Sequence, residues 1–214
     1  MLAEIKTAIR SRYDTKARQY GASWPSNVHD EKTEKVEKAL EALAAPYYSD
    51  LVLDIGMGRR GRYVARMAEQ VSKSFGIDIS DVTVAVAKKH MQEKRLDKVS
   101  GVAVASADAL PFPDGYFTLV VCSEVMEYYP LSDVEVLLKE IKRVLAIHGR
   151  AIVDFPDYTD GRVWELKEAE ERDDVRFFVY GDNEVQETIS LCGFAIIGVQ
   201  KADVEIQYLL QQCS

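Results

Sequence analysis

The first 46 residues carry apolar side chains at every third or fourth position, which is the spacing of one face of an α-helix. This pattern predicts a first amphipathic helix over residues 2–20. A second helix, with a charged outer face, is predicted to end near Pro46. Residues 21–27 are rich in turn-forming side chains and separate the two helices.

From residue 51 onward, short apolar runs alternate with helical stretches. The runs are LVLDI, SFGIDI, VSGVAVA, FTLVVCS and RAIVDF, and helices are predicted among them at residues 62–70, 81–95 and 133–145. This alternation indicates βαβ units with a parallel sheet, and the continuous apolar strands indicate helices on both faces. A further helix is predicted at residues 182–191. The runs FAIIGV and VEIQYLL then follow each other so closely that they predict an antiparallel hairpin.

The composition is that of one folded domain, which we expect to span residues 1–214. Hydrophobic residues make up 47% and charged residues 29% of the chain. We expect a cytoplasmic protein, because no apolar run is long enough to span a bilayer and the N-terminus does not resemble a signal peptide. The net charge of -8 disfavours a nucleic-acid partner. Three widely spaced cysteines predict reduced thiols, with neither disulfides nor a metal site.

A glycine-rich turn, LVLDIGMGRRG, follows the first predicted strand and places Gly56, Gly58 and Gly61 at the start of a helix. Glycines there allow a tight turn and a close approach of the backbone to a ligand. The spacing alone suits a dinucleotide, a methyl-donor cofactor or a plain strand-to-helix turn. The neighbouring residues must therefore distinguish these alternatives.

Three aspartates stand at the ends of the first three predicted strands. Asp54 would attract the ammonium of a cofactor that contains an amino acid, and it would repel a pyrophosphate. Asp78 lies 20 residues after Gly58, where a carboxylate can accept both ribose hydroxyls, and this position suits NAD equally well. Asp108 can accept a hydrogen bond from an adenine amino group. Together the three acids favour a nucleoside cofactor with an amino-acid arm.

Five segments resemble the class I S-adenosylmethionine-dependent methyltransferases, especially the small-molecule branch of methyltransferase type 11. They are LVLDIGMGRRG, ALPFPDGYFTLV, CSEVMEYY, RVLAIHGRAIVDF and LCGFAIIGV. The resemblance covers about residues 10–210. It implies an α/β, Rossmann-like, doubly wound sheet of seven strands in the order 3-2-1-4-5-7-6, with the last strand antiparallel. It also implies a helical lid over residues 1–46 and a core over residues 50–214.

The same resemblance implies S-adenosylmethionine as cofactor and a set of residues that hold it. That set is Asp54, Gly56, Met57, Gly58, Asp78, Ile79, Asp108, Ala109, Ser123, Glu124 and Tyr20. Met57 replaces the usual cysteine. Tyr128 stands where similar proteins have a histidine, so a histidine base cannot be transferred to this chain. We therefore take Tyr128 and Glu127 as the candidate catalytic residues.

The predicted function is methyl transfer to an oxygen or nitrogen nucleophile of a small molecule. Acidic residues near the crevice favour a cationic acceptor, whereas Lys6, Arg10 and Lys16 on the first helix favour an anion. The acceptor class thus stays open, as does the oligomeric state, for which a homodimer is one alternative. Two rival functions are an inactive methyltransferase-like scaffold that binds the cofactor or a partner and, less favoured, an NAD(P)-dependent reductase.

Overall fold

The computed structural model describes residues 2–22 and 27–213, so the predicted turn at residues 21–27 lies partly outside the described residues. Seven strands form one sheet in the order β3-β2-β1-β4-β5-β7-β6. The strands are β1 (Leu51–Ile55), β2 (Lys73–Asp78), β3 (Gly101–Val104), β4 (Phe117–Cys122), β5 (Leu145–Pro156), β6 (Phe194–Ala202) and β7 (Glu205–Gln212). The helices are α1 (Leu2–Tyr20), α2 (Asn27–Ala44), α3 (Arg62–Ala68), α4 (Asp81–Lys94), α5 (Leu131–Val144), α6 (Gly161–Glu171) and α7 (Asp182–Leu191).

The direction of each strand relative to its neighbour depends on the length of the chain that connects them. The neighbours β1, β2, β3, β4 and β5 are parallel, because a chain that crosses over a sheet through a helix returns in the same direction. Strand β7 is antiparallel to both β5 and β6. The predicted fold class, including the strand order and the antiparallel last strand, is therefore confirmed.

The central strands are covered on both faces. Leu53 and Ile55 of β1 pack into one apolar cluster, whereas Val52 packs into another with residues of α2 and α3. Alternate residues of a strand point to opposite faces, so two separate clusters require helices on both sides of the sheet. This double burial explains why β1 and β4 are continuous apolar runs instead of alternating ones.

Most helices begin and end within a few residues of their predicted bounds. Helix α6 is the one that the pattern of apolar residues did not predict. Its only buried apolar side chain is Val163, and Trp164 is exposed, so no apolar stripe marks this helix in the sequence. Asp160 begins the helix by accepting a hydrogen bond from the backbone N–H of Arg162 at 3.1 Å. That capping residue is the local signal that was available.

Helix α1 lies across the carboxyl ends of the parallel strands. Lys6 pairs with Asp108 beyond β3 at 2.9 Å, and the Arg10 side chain donates to the carbonyl oxygen of Ile79 at 3.1 Å. Further along, the Tyr13 and Tyr128 hydroxyls are 2.9 Å apart. Helix α1 is thus placed to cover a ligand at this edge of the sheet, and the division into a lid over residues 1–46 and a core stays a prediction.

Candidate cofactor and acceptor site

A cavity of about 500 Å³ opens at the carboxyl ends of β1, β2 and β4. The chain leaves β1 toward β2 on one side of the sheet and later returns to β4 on the other, so neighbouring connections diverge above β1 and β4. Such a divergence creates the crevice in which open α/β sheets bind ligands. The volume lies in the range of small-molecule sites.

The glycine-rich turn forms one wall of this cavity. Gly56 has φ +78° and Gly58 has φ +64°, in the left-handed region that favours glycine. A Cβ atom on Gly56 would lie 2.5 Å from Cγ2 of Val125, whereas one on Gly58 would meet no atom within 4 Å. Gly56 is therefore required both by its backbone conformation and by close packing, and Gly58 leaves open space toward a ligand.

Met57 lines the cavity but packs mainly into the core behind the turn. Its side chain lies over Gly76 of β2, where a Cβ atom would come within 2.5 Å of the Met57 sulfur. Met91 of α4 belongs to the same apolar cluster. The flexible methionine therefore fills the space that Gly76 leaves, which explains how this position tolerates a side chain larger than cysteine.

Asp54 and Asp78 both face the cavity and are both buried. Burial, together with the nearby Glu37 and Asp78 carboxyls, raises the pKa of Asp54 to about 8, although the Val64 backbone N–H donates to it. Burial also raises the pKa of Asp78 to about 6. The Asp78 carboxylate accepts hydrogen bonds from the backbone N–H of Ser80 at 2.9 Å and of Gly58 at 3.2 Å. Asp78 thus joins the glycine-rich turn to the end of β2.

Three residues of the predicted cofactor set do not line the cavity. The Asp108 carboxylate pairs with Lys6, and Tyr20 lies beneath the Arg59 guanidinium, whose carbon is 5.7 Å from the ring centre. Ala109 is exposed, and the alanines that line the cavity beyond β3 are Ala105 and Ala107. The adenine role of Asp108 and Ala109 stays a prediction, as does the role of Tyr20.

Ser123 and Glu124 line the cavity at the end of β4, and both are held by Asp154 of β5. The Ser123 hydroxyl donates to one Asp154 oxygen, and the Glu124 backbone N–H donates to the other at 2.7 Å. Glu124 has φ +54°, a strained conformation for a residue with a side chain. The buried Asp154 carboxylate therefore fixes the turn that carries Glu124.

The candidate catalytic residues follow directly, in a short 3₁₀ helix over Met126–Tyr128. Glu127 and Tyr128 are both buried and both line the cavity. Burial raises the pKa of the Tyr128 phenol well above its ordinary value, so the hydroxyl keeps its proton at neutral pH. Burial and the negative charge of Glu205 raise the pKa of Glu127 well above the usual range.

Glu205 and Asp154 are among the buried acids of this site that the sequence reasoning missed. Glu205 lines the cavity at the start of β7, and Asp154 supports the turn after β4. Each is a single acid inside an apolar run, VEIQYLL and RAIVDF, and that context is a signal of a buried carboxylate. Asp157 and Tyr158, which follow β5, do not line the cavity, and the Asp157 carboxylate pairs with Lys201 at 2.6 Å.

The raised pKa values predict that the ligand-free protein loses stability as pH increases. Asp54, Glu37 and Asp78 have folded-state pKa values of about 8, 7 and 6, above ordinary values of about 4. Their contribution is complete below pH 4 and is lost as pH increases through 6 to 8. Thermal unfolding measured from pH 5.5 to 8.5 should therefore show a falling Tm.

The variant Asp54→Asn should remove the part of this fall that lies near pH 8, because the amide does not titrate. Carboxylates with lowered pKa, such as Asp108 and Asp157, lose their contribution only in acid, below the range measured. A Tm that increases from pH 5.5 to 8.5 would contradict the burial of these three acids.

Comparisons with known proteins agree with the fold. The family model described as "Methyltransferase domain" matches residues 53–153, which include the glycine-rich turn and β4. The uncharacterized methyltransferase YcgJ of Bacillus subtilis is 33% identical over 102 residues, which cover 48% of this chain and 39% of that protein. A malonyl-[acyl-carrier protein] O-methyltransferase of Geobacter sulfurreducens is 29% identical over 167 residues, which cover 73% of this chain and 60% of that protein.

Among solved structures, magnesium protoporphyrin IX methyltransferase from Synechocystis with bound SAH shares the fold. The TM-score is 0.75 at 18% identity, and the match covers 98% of this chain and 100% of that one. The sheet order and the glycine-lined crevice are those of the class I S-adenosylmethionine-dependent methyltransferases. Within that fold, residues 53–153 of the chain match the methyltransferase domain family.

The matched segments span less than two thirds of the length of the curated relatives named above. Among the described residues, no helix has the length and apolar character needed to cross a bilayer. Within that same part of the chain, no group of three His, Cys, Asp or Glu residues is arranged to hold a metal ion.

Proposed function

We propose that the chain transfers a methyl group from S-adenosylmethionine to an oxygen or nitrogen atom of a small molecule. The observation that supports this most directly is the joint placement of the glycine-rich turn, Asp54 and Asp78 around one cavity of about 500 Å³. The left-handed glycines allow a ligand to approach the backbone, and the two carboxylates suit an ammonium and a ribose.

The residues of the cavity fit this cofactor in three respects. Asp54 would neutralise the amino-acid ammonium, and Asp78 would accept the ribose hydroxyls while it holds the turn through Gly58. Ala105 and Ala107 would border the adenine. When bound, the cofactor supplies a methyl group on a sulfonium, which is a good leaving group.

The protein's part in such a displacement is to align the nucleophile and to exclude water. Tyr13 of α1 closes the cavity from above and holds the Tyr128 hydroxyl at 2.9 Å. Because Tyr128 keeps its proton, we assign it a hydrogen-bonding role toward the acceptor. Glu127, whose pKa is raised, is the better group to take up a proton that leaves the nucleophile.

Calorimetry with S-adenosylhomocysteine and with NADH tests the cofactor. We expect S-adenosylhomocysteine to bind and NADH to give no measurable heat. Radiolabelled S-adenosylmethionine, incubated with a metabolite extract, then tests transfer and reveals the labelled acceptor. NADH binding without a response to S-adenosylhomocysteine would favour a reductase, and cofactor binding without any labelled product would favour a scaffold.

With the labelled acceptor in hand, Tyr128→Phe should lower kcat about tenfold, because one hydroxyl contact to the acceptor is lost. The dissociation constant of S-adenosylhomocysteine should change less than twofold. Tyr116→Phe is the matched control, since Tyr116 packs against Phe75 and Phe117 outside the cavity. Equal kcat values for Tyr128→Phe and the wild type would show that the Tyr128 hydroxyl does not bind the acceptor.

A further inference from the structure

Three glutamates, Glu124, Glu127 and Glu205, line one end of the cavity, and we call them the acidic wall. They come from two distant parts of the chain, the turn after β4 and the start of β7. Strand pairing brings them together, because Glu205 lies opposite Pro156 at the end of β5. Like charges close together in a buried place repel each other, and a cation bound among them would reduce that repulsion.

The environment of Glu127 indicates a bound ligand, because its side chain is almost fully enclosed and one of its oxygens has no hydrogen-bond partner among the described residues. Only 3% of the residue is exposed, and its Oε2 atom has no hydrogen-bond partner among the described residues. A buried carboxylate oxygen normally has a donor. An unbonded oxygen on a side chain that lines a cavity therefore indicates a ligand that supplies the N–H or O–H group.

Two arginines, one on α1 and one on α3, have other carboxylates as partners. Arg12 of α1 pairs with Glu170 at 2.5 Å and with Asp173 at 3.0 Å. Arg62 of α3 pairs with Glu37 at 3.2 Å. Their charges are thus largely balanced locally, and they do not supply the missing donor to Oε2 of Glu127.

Aromatic side chains form the surface beside the acidic wall. Tyr128 meets Phe177 edge to face, with ring centres 6.1 Å apart, and meets Tyr13 in the same way at 6.1 Å. All three line the cavity. Aromatic rings attract an alkylammonium through their faces and also cover its hydrocarbon part. Carboxylates next to aromatic rings are therefore suited to an organic amine.

We propose that the methyl acceptor is a primary or secondary amine, held as its ammonium by Glu127 and Glu205 with its hydrocarbon part against Tyr128 and Phe177. This proposal rests on the proposed function and narrows its oxygen-or-nitrogen acceptor to nitrogen. A metal ion is a weaker occupant, because the described residues include no group of acids arranged as metal ligands.

The acidic wall also provides for the proton that N-methylation releases. The ammonium first gives a proton to the Glu127 carboxylate, which leaves a lone pair on nitrogen. That lone pair forms the new N–C bond to the methyl carbon. The C–S bond breaks, and its electron pair stays on sulfur, which becomes a neutral thioether. The methylated amine carries the positive charge in place of the sulfonium, so charge and atoms balance.

The cofactor is the other cation that could meet these acids, and its ammonium has a separate carboxylate. Asp54 lies beside the glycine-rich turn at the end of β1, whereas Glu205 lies beyond β5, on the far side of β4 in the sheet. Loss of the Glu127 charge should therefore weaken the binding of an amine without weakening the cofactor.

The test uses matched probes of one shape and three charges: phenethylamine, 2-phenylethanol and 3-phenylpropanoate. Binding of each is measured by calorimetry on the whole chain saturated with S-adenosylhomocysteine. For the wild type, we expect the amine to bind at least tenfold more tightly than the alcohol and the carboxylate to give no heat. Glu127→Gln and Glu205→Gln keep the side-chain shape, and each should reduce the preference for the amine at least tenfold.

Glu165→Gln, at an exposed acid of α6, is the matched control and should leave that preference unchanged. Wild-type protein that binds S-adenosylhomocysteine but binds no amine better than its alcohol overturns this inference alone. Equal losses of amine and S-adenosylhomocysteine binding in Glu127→Gln also overturn it, because the acidic wall would then serve the cofactor. If the wild type binds no S-adenosylhomocysteine, the proposed function fails as well.

Discussion

Gly56→Ala should weaken the binding of S-adenosylhomocysteine at least a hundredfold, with the dissociation constant measured by calorimetry. The new Cβ would lie 2.5 Å from Cγ2 of Val125, far inside the contact distance of two carbon atoms. The φ angle of +78° adds a backbone cost of about 1–2 kcal/mol for any residue with a side chain. Either the glycine-rich turn or the segment after β4 must move, and both form walls of the cavity.

Two variants separate this effect from general destabilisation. Gly21→Ala introduces the same kind of strain at φ +53°, but its Cβ would meet no atom within 4 Å, so cofactor binding should stay within threefold of the wild type. The double variant Gly56→Ala with Val125→Ala removes the clashing methyl group and should recover part of the affinity. If Gly56→Ala binds S-adenosylhomocysteine as tightly as the wild type, the turn does not hold the cofactor.

Much of the fold could be predicted from the sequence, because its strongest signals are local. Apolar runs on both sides of short helices specify buried parallel strands, and the short connection before the last strand specifies a hairpin. Helix α6 was missed because its face toward the core is reduced to Val163. A helix held mainly by its cap and by polar contacts leaves little periodicity to detect.

The residues proposed to hold the cofactor were easier to identify from the sequence than those proposed to hold the acceptor, for a physical reason. Asp54, Gly56 and Gly58 lie within five residues, and a backbone turn at the end of a strand places them together whatever the rest of the chain does. The ion pair of Asp108 could not be found in this way, because its partner Lys6 lies 102 residues away in the chain. That pairing depends on where α1 lies, which no local pattern reveals.

The acceptor side depends on contacts between segments far apart in the chain. The approach of Glu205 to Glu127 requires the antiparallel pairing of β5 and β7 with one particular register. A shift of one residue would turn Glu205 to the other face of the sheet. Sequence reasoning therefore named Glu127 as a candidate and could not name the acid that raises its pKa.

Asp78→Ala should weaken the binding of S-adenosylhomocysteine about ten- to a hundredfold. The change removes a carboxylate that would accept the ribose hydroxyls, and charge-assisted hydrogen bonds contribute about 1.5–3 kcal/mol. It also removes the acceptor for the backbone N–H of Gly58, so the glycine-rich turn loses a support. Wild-type affinity should itself decrease below pH 6, because the pKa of Asp78 is about 6 and a protonated carboxyl accepts hydrogen bonds less well.

Adenosine and 2′,3′-dideoxyadenosine distinguish the ribose contact from the support of the turn. The wild type should bind adenosine more tightly, because only adenosine can donate two hydroxyls to the Asp78 carboxylate. In Asp78→Ala the two affinities should become nearly equal, whereas loss of the turn alone would lower both and keep their ratio. Asp81→Ala, at an acid on the exposed first turn of α4, is the control and should preserve that ratio. An unchanged ratio in Asp78→Ala would show that the ribose binds elsewhere.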